Sequence, residues 1–127
     1  MSDTSLLTST PSIASVRRRA EGDSTVVTLD GEVDVLTAPR VSAALDLLTG
    51  TDRPDIVVDL RPVDFIDCSG LSALVRARRR AEQQQGRVRL VCRDGFTLRT
   101  LRTTRLTQYF TILPDWPDGT GPTGPGA

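Results

Sequence analysis

Histidine and lysine are both missing from this chain, and three Phe, one Tyr and one Trp are its only aromatic residues. Without histidine the commonest general base and the commonest metal ligand are gone. No spacing of the remaining side chains suits a metal, and no cofactor motif is present. Two cysteines, Cys68 and Cys92, cannot build a disulfide framework, and both are expected to stay reduced. So few aromatics leave the core to Leu, Val, Ile and Ala. They also give no stacking platform for single-stranded nucleic acid, so no direct nucleic-acid partner is expected. No apolar run approaches the roughly 20 residues of a membrane-spanning helix. The start of the chain lacks the basic and apolar segments of a signal peptide. The expectation is a soluble cytoplasmic protein with no membrane insertion.

The 127 residues suit one domain with a core. The formal net charge is zero, yet the charges are segregated. Over 21–67 only Arg40, Arg53 and Arg61 oppose the acids; over 76–105 only Glu82 and Asp94 oppose the arginines. The two halves are expected to offset each other across one fold.

Residues 1–12 are rich in Ser and Thr without periodic pattern and read as a disordered arm, and 114–127 read as a Pro/Gly-rich flexible tail. The domain is expected over 13–113. Within it 13–20 is an expected edge strand, with exposed Arg17 to Arg19, and 24–29 is β-branched and apolar, a second strand. Val41, Ala44, Leu45 and Leu48 follow helical spacing, with Thr37 as expected N-cap and Pro39 in the first turn. The nearly continuous apolar run 56–60 fits a strand buried on both faces. Leu71, Leu74 and Val75 begin a second helical stripe, backed by Arg76, Arg79 and Arg80, and Gly86 is its expected terminator. Residues 88–92 form another strand, 96–106 a short helix facing Leu98, Leu101 and Leu106 inward, and 109–113 a last strand. The order β-β-α-β-α-β-α-β gives an α/β fold with a mixed, largely parallel sheet of about five strands, the first pair antiparallel.

Chemistry concentrates in Asp64-Phe65-Ile66-Asp67-Cys68-Ser69-Gly70-Leu71. It closes an apolar segment and opens an amphipathic helix, whose free N–H groups favour a carboxylate or phosphate. Ser69 can serve as helix cap, worth about 1 kcal/mol, and so can Asp67. Gly70 at a helix start is poor on propensity and implies a close approach by a partner or another loop. Glu32 and Asp34 are expected to be loop acids reading a basic partner surface, and no enzymatic activity is expected. Cys92 reads as a buried, inert thiol beside Val88 and Leu90. The Arg76 to Arg80 cluster reads as a solvated helix face, or as a match for an acidic patch. Trp116 falls in the tail and can fold back over apolar surface.

Gly31-Glu32-Val33-Asp34, followed by Thr37-Ala38-Pro39, resembles the GE(L/V)D element after the second strand of STAS domains. Val57-Val58-Asp59-Leu60 and Arg89-Leu90-Val91 resemble later strands of that family, and Phe65-Ile66-Asp67-Cys68-Ser69-Gly70-Leu71 resembles its F-I-D-S-S-G-L signature. These motifs lie in family order across 13–113, and the chain resembles the bacterial anti-sigma factor antagonists. The resemblance implies a STAS fold and a partner-switching cycle. The partner is an anti-sigma factor and serine kinase of the histidine-kinase-like ATPase type. The unphosphorylated antagonist binds it and frees a sigma factor; phosphorylation breaks the complex and a phosphatase restores it. Carried onto this chain, the implied docking residues are Asp34, Asp67, Cys68, Ser69, Gly70 and Leu71. A homodimer is compatible with the resemblance.

Three departures stand out. Cys68 occupies the phospho-acceptor position. Ser69 can accept the phosphate instead, the switch can be lost, or Cys68 can make it redox-sensitive, since a helix N-terminus favours a thiolate while Asp64 and Asp67 oppose it. Arg105 in Thr103-Thr104-Arg105-Leu106 replaces the glycine of a Thr-Gly-Leu element. The Pro/Gly tail stands where many members have a C-terminal helix. The missing acceptor also admits a second role, an accessory STAS subunit of a membrane lipid-transport ABC assembly.

Overall fold

A computed structural model describes residues 15–116; the expected arm over 1–12 and most of the expected tail fall outside them. Six strands and three helices follow in the order β1 (Ser15–Glu21), β2 (Ser24–Val33), α1 (Ala38–Thr49), β3 (Asp55–Asp59), β4 (Val63–Ile66), α2 (Cys68–Gln83), β5 (Arg87–Val91), α3 (Phe96–Thr103) and β6 (Thr111–Leu113). Five strands lie side by side as β1-β2-β3-β5-β6, and β4 pairs with β2. The β1–β2 pair is antiparallel and the other pairs are parallel. The fold is thus the expected α/β arrangement with a mixed, mostly parallel sheet.

The apolar periods explain the layering. On β2, β3 and β5 the residues Val27, Leu29, Ile56, Val58, Val88 and Leu90 join Val41, Leu45, Leu74, Ala77 and Leu101 of the helices in one core. The alternate residues Val26, Val57 and Val91 form a small cluster on the opposite face, where Leu113 and Trp116 pack. Trp116 therefore folds back over apolar surface, with the Arg89 guanidinium 5.2 Å from its ring centre. Asp59 is 4% exposed at the end of β3. Burial alone would raise its pKa; the Arg61 guanidinium, bonded to both carboxylate oxygens at 2.9 and 2.7 Å, and the Arg61 N–H outweigh that and hold it below the ordinary carboxylate range.

Three local expectations need correction. β4 was not foreseen: it is four residues long, and only its two ends, Val63 and Ile66, are buried, so it shows no period of two. Thr37 takes the expected N-cap position of α1, but its side chain makes no cap hydrogen bond. Asp34, three residues upstream, closes the turn that leads into the helix: its Oδ1 accepts from the N–H of Leu36 at 3.0 Å and of Thr37 at 3.2 Å. Thr37 Oγ1 in return accepts the Asp34 N–H at 2.9 Å, a reciprocal box with Thr in the usual Glu place.

Nor is Gly86 the left-handed residue that ends α2. Gln85 takes that conformation, with φ 60°, while the Gly86 N–H bonds the Ala81 carbonyl and the Gln85 N–H bonds that of Glu82. Gly86 sits one place on, where a Cβ would overlap Pro54. The α3 end repeats the design. The expected helix over 96–106 stops at Thr103, Arg105 has φ 65°, and the Leu106 N–H bonds the Leu101 carbonyl. The departure at Arg105 thus places a side chain where the backbone favours glycine.

Candidate functional site

The signature turn is built where β2 and β4 end together. Val33 pairs with Ile66 in parallel register, and the Asp67 N–H bonds the Val33 carbonyl at 3.2 Å. Asp67 is extended, and its Oδ1 accepts from the N–H groups of Ser69 at 2.9 Å and Gly70 at 3.2 Å. Asp67 is therefore the N-cap of α2, and Ser69 is its second helical residue. The helix N-terminus, which favours an anion, already holds the chain's own carboxylate.

The exposures of the turn residues differ sharply. Cys68 is exposed, Asp67 and Ser69 are half-buried, and Gly70 and Leu71 are buried, Leu71 at 7%. A Cβ on Gly70 would lie 2.7 Å from both the Val33 carbonyl oxygen and Ile66 Cγ1. The close approach expected at Gly70 is that of β2 and β4, not of an outside group. Leu71 joins the core and also floors a shallow groove that opens beside Cys68.

The loop after β2 lies against this turn through Val33. With Asp34 holding its backbone, Val35 and Leu36 are left 66% and 76% exposed. Phe65 and Phe96, both partly exposed, stack with ring centres 5.7 Å apart. The motifs include Phe65 only as part of the signature and point to none of Val35, Leu36 and Phe96 as surface residues of the site. Their signal was present: adjacent apolar side chains in a loop otherwise built from caps, and an aromatic in a segment too short to bury it.

Asp34 and Asp67 thus come together with Cys68 and Ser69 at one end of the sheet, but both carboxylates act first on local backbone. Cys92 is elsewhere, 3% exposed, and burial pushes its thiol up to about 11, with Asp59 and Asp94 adding to the shift. The Arg76 to Arg80 cluster is less solvated than expected. Arg76 bonds both Asp46 oxygens at 3.0 Å, Arg80 pairs with the same carboxylate at 3.1 Å, and Arg78 pairs with Glu82 and lies 3.9 Å from the Tyr109 ring centre. The Arg76 and Arg80 bonds tie α2 to α1, and the hydrogen bond from Arg76 leads the effects that hold the Asp46 carboxyl below its ordinary value. Among the described residues no cluster of three or more His, Cys, Asp or Glu could hold a metal ion, and no helix is long and apolar enough to cross a membrane.

Comparison with known proteins agrees with this geometry. Residues 15–118 match the STAS domain family. No curated protein matches the chain. Among solved structures, an anti-sigma factor antagonist from Mycobacterium paratuberculosis is 26% identical, with a TM-score of 0.76 over 84% of this chain and 90% of that one. The anti-sigma factor antagonist SpoIIAA in its unphosphorylated form is 18% identical, with a TM-score of 0.62 over 83% of this chain and 92% of that one. An anti-sigma-factor antagonist (STAS) domain protein from Planctomyces limnophilus is 20% identical, with a TM-score of 0.67 over 80% and 91%. From the residues matched and the fold they form, the chain belongs to the STAS domain family.

Proposed function

We propose that this protein is an anti-sigma factor antagonist: it binds an anti-sigma factor of the serine-kinase type and so releases a sigma factor. The observation that carries the reading is the exposed, rigidly capped corner where the Asp34 loop and the Asp67–Ser69 turn meet through the Val33 carbonyl. The 26% identity to a mycobacterial anti-sigma factor antagonist supports it. No step of this role needs catalysis by the chain itself. Val35, Leu36 and Cys68 supply the accessible contact surface. Asp34 and Asp67 shape it, and Gly70 and Leu71 seat the helix beneath it.

At the most exposed place of the turn stands a thiol, which a serine kinase does not phosphorylate. Control at position 68 is therefore lost in this reading, and Ser69 is the one hydroxyl of the turn left to carry a phosphoryl group. A phosphate there would bring roughly −1.5 to −2 charges next to the Asp67 carboxylate and repel it. The test is incubation of the purified protein with each kinase-type anti-sigma factor of its host, with and without ATP. Binding is read by calorimetry and modification by site-resolved mass spectrometry. Binding that ATP abolishes, with phosphate on Ser69, gives a shifted switch. Binding that persists without phosphate gives an unswitched antagonist. Failure of every such anti-sigma factor to bind rejects the function.

A further inference from the structure

A groove runs from Cys68 down the outer side of α2, bounded across from it by the loop that follows α3. Its floor is apolar: Leu71, Val75 and Leu106. Its rim is cationic, with Arg76 and Arg79 on α2 and Arg105 on the loop. No carboxylate lines either part of it. Arg76 is neutralised by Asp46, but Arg79 and Arg105 are exposed and have no ion-pair partner among the described residues. Arg105 is held there in a left-handed conformation, φ 65°, that disfavours any side chain.

We propose that this groove receives one amphipathic helix of the partner, apolar on the face it buries and acidic along its flanks. Three features select that occupant. The floor rules out a fully polar segment. The unmatched guanidinium groups call for carboxylates. The walls are a helix flank and a capped loop with no free strand edge, so an entering segment must satisfy its own backbone hydrogen bonds, as a helix does. Cys68, Leu71, Val75 and Arg79 follow the spacing of one stripe on α2, and eleven steps of about 1.5 Å make it about 16 Å long, three turns of an incoming helix. The groove meets the signature turn at Cys68, so helix and turn can be engaged together.

This inference rests on the proposed function and is tested apart from it. The full-length protein, its Leu36→Glu variant and an Arg79→Glu/Arg105→Glu double variant are titrated against the kinase-type anti-sigma factor that binds. Native melting curves check that each is folded. The double variant should weaken binding at least tenfold and lower its salt dependence. Replacing the acidic residues of the partner's helix by arginine should restore it. Binding unchanged in the double variant but lost in Leu36→Glu overturns the groove and keeps the function. No binding by the wild type overturns both. If the wild-type protein instead self-associates at micromolar concentration and the double variant does not, a second copy is the occupant and the proposal fails.

Discussion

Gly70→Ala tests the way the docking corner is built. The added Cβ would meet the Val33 carbonyl oxygen and Ile66 Cγ1 at 2.7 Å and Val33 Cγ1 at 2.8 Å, all closer than van der Waals contact allows. Two of those atoms belong to side chains that are 0% and 1% exposed, with no free volume to yield, and the third is backbone of β2. Overpacking of this kind costs about 1–3 kcal/mol. Alanine in a helix recovers about 1 kcal/mol over glycine. Three overlaps at once place the cost in the upper half of that range, so the net loss should be about 1–2 kcal/mol, a fall of roughly 5–15 °C in melting temperature for a domain of this size. Because α2 can only escape by moving off Val33, the Asp67–Val33 hydrogen bond should weaken too, and partner affinity should fall with stability. Calorimetric melting and binding titration on the same sample read both. A variant as stable as the wild type would refute the close approach; a destabilised variant with unaltered affinity would refute the coupling of helix seat to docking corner.

Asp67→Ala should cost about 1 kcal/mol as a lost N-cap, whereas Ser69→Ala should stay within about 0.5 kcal/mol; urea unfolding separates the two. Arg105→Gly should stabilise the fold by a few tenths to about 1 kcal/mol, since relief of the left-handed strain exceeds glycine's entropy cost, and a lowered urea midpoint would contradict it. Asp59→Ala takes the buried partner from the Arg61 guanidinium, 11% exposed, and leaves it the exposed Asp115 carboxylate, so it should cost about 1–3 kcal/mol. The folded Asp59 carboxyl titrates below its unfolded value, so its stabilisation is present above about pH 4 and is lost as pH falls through the lower folded value; a pH series of melts on wild type and variant should converge in acid. At pH 8 a thiol reagent should modify one cysteine of the native protein, Cys68, and two after denaturation. Rapid reaction of both in the native state would contradict the burial of Cys92.

Much of the sheet was legible because its strands carry simple periods. The run 56–60 and the stripe Leu71, Leu74, Val75 report burial directly, and the order of elements follows from them. What stayed hidden depends on contacts that have no period. β4 is recognisable only beside the end of β2, where the register shifts between Gly31 and Glu32 and leaves Asp64 unpaired. Thr37 and Ser69 both look like caps, but Ser69 lies inside α2, where Asp67 caps the helix, and Thr37 is held by the turn that Asp34 closes. The residue types of the docking corner were readable as a motif. Their division into surface and support was not, since Gly70 and Leu71 serve from beneath while Val35 and Leu36 stand outside.

The change of partners along β2 has a kinetic consequence. That strand changes neighbours from β3 to β4 partway along, so the end that delivers the loop is held by β4 and by the Asp67–Val33 hydrogen bond before any visitor arrives. A surface fixed in advance forfeits little disorder on association. Encounter should then be limited by diffusion and charge, not by rearrangement, and differences between rival partners should reside in how long each stays.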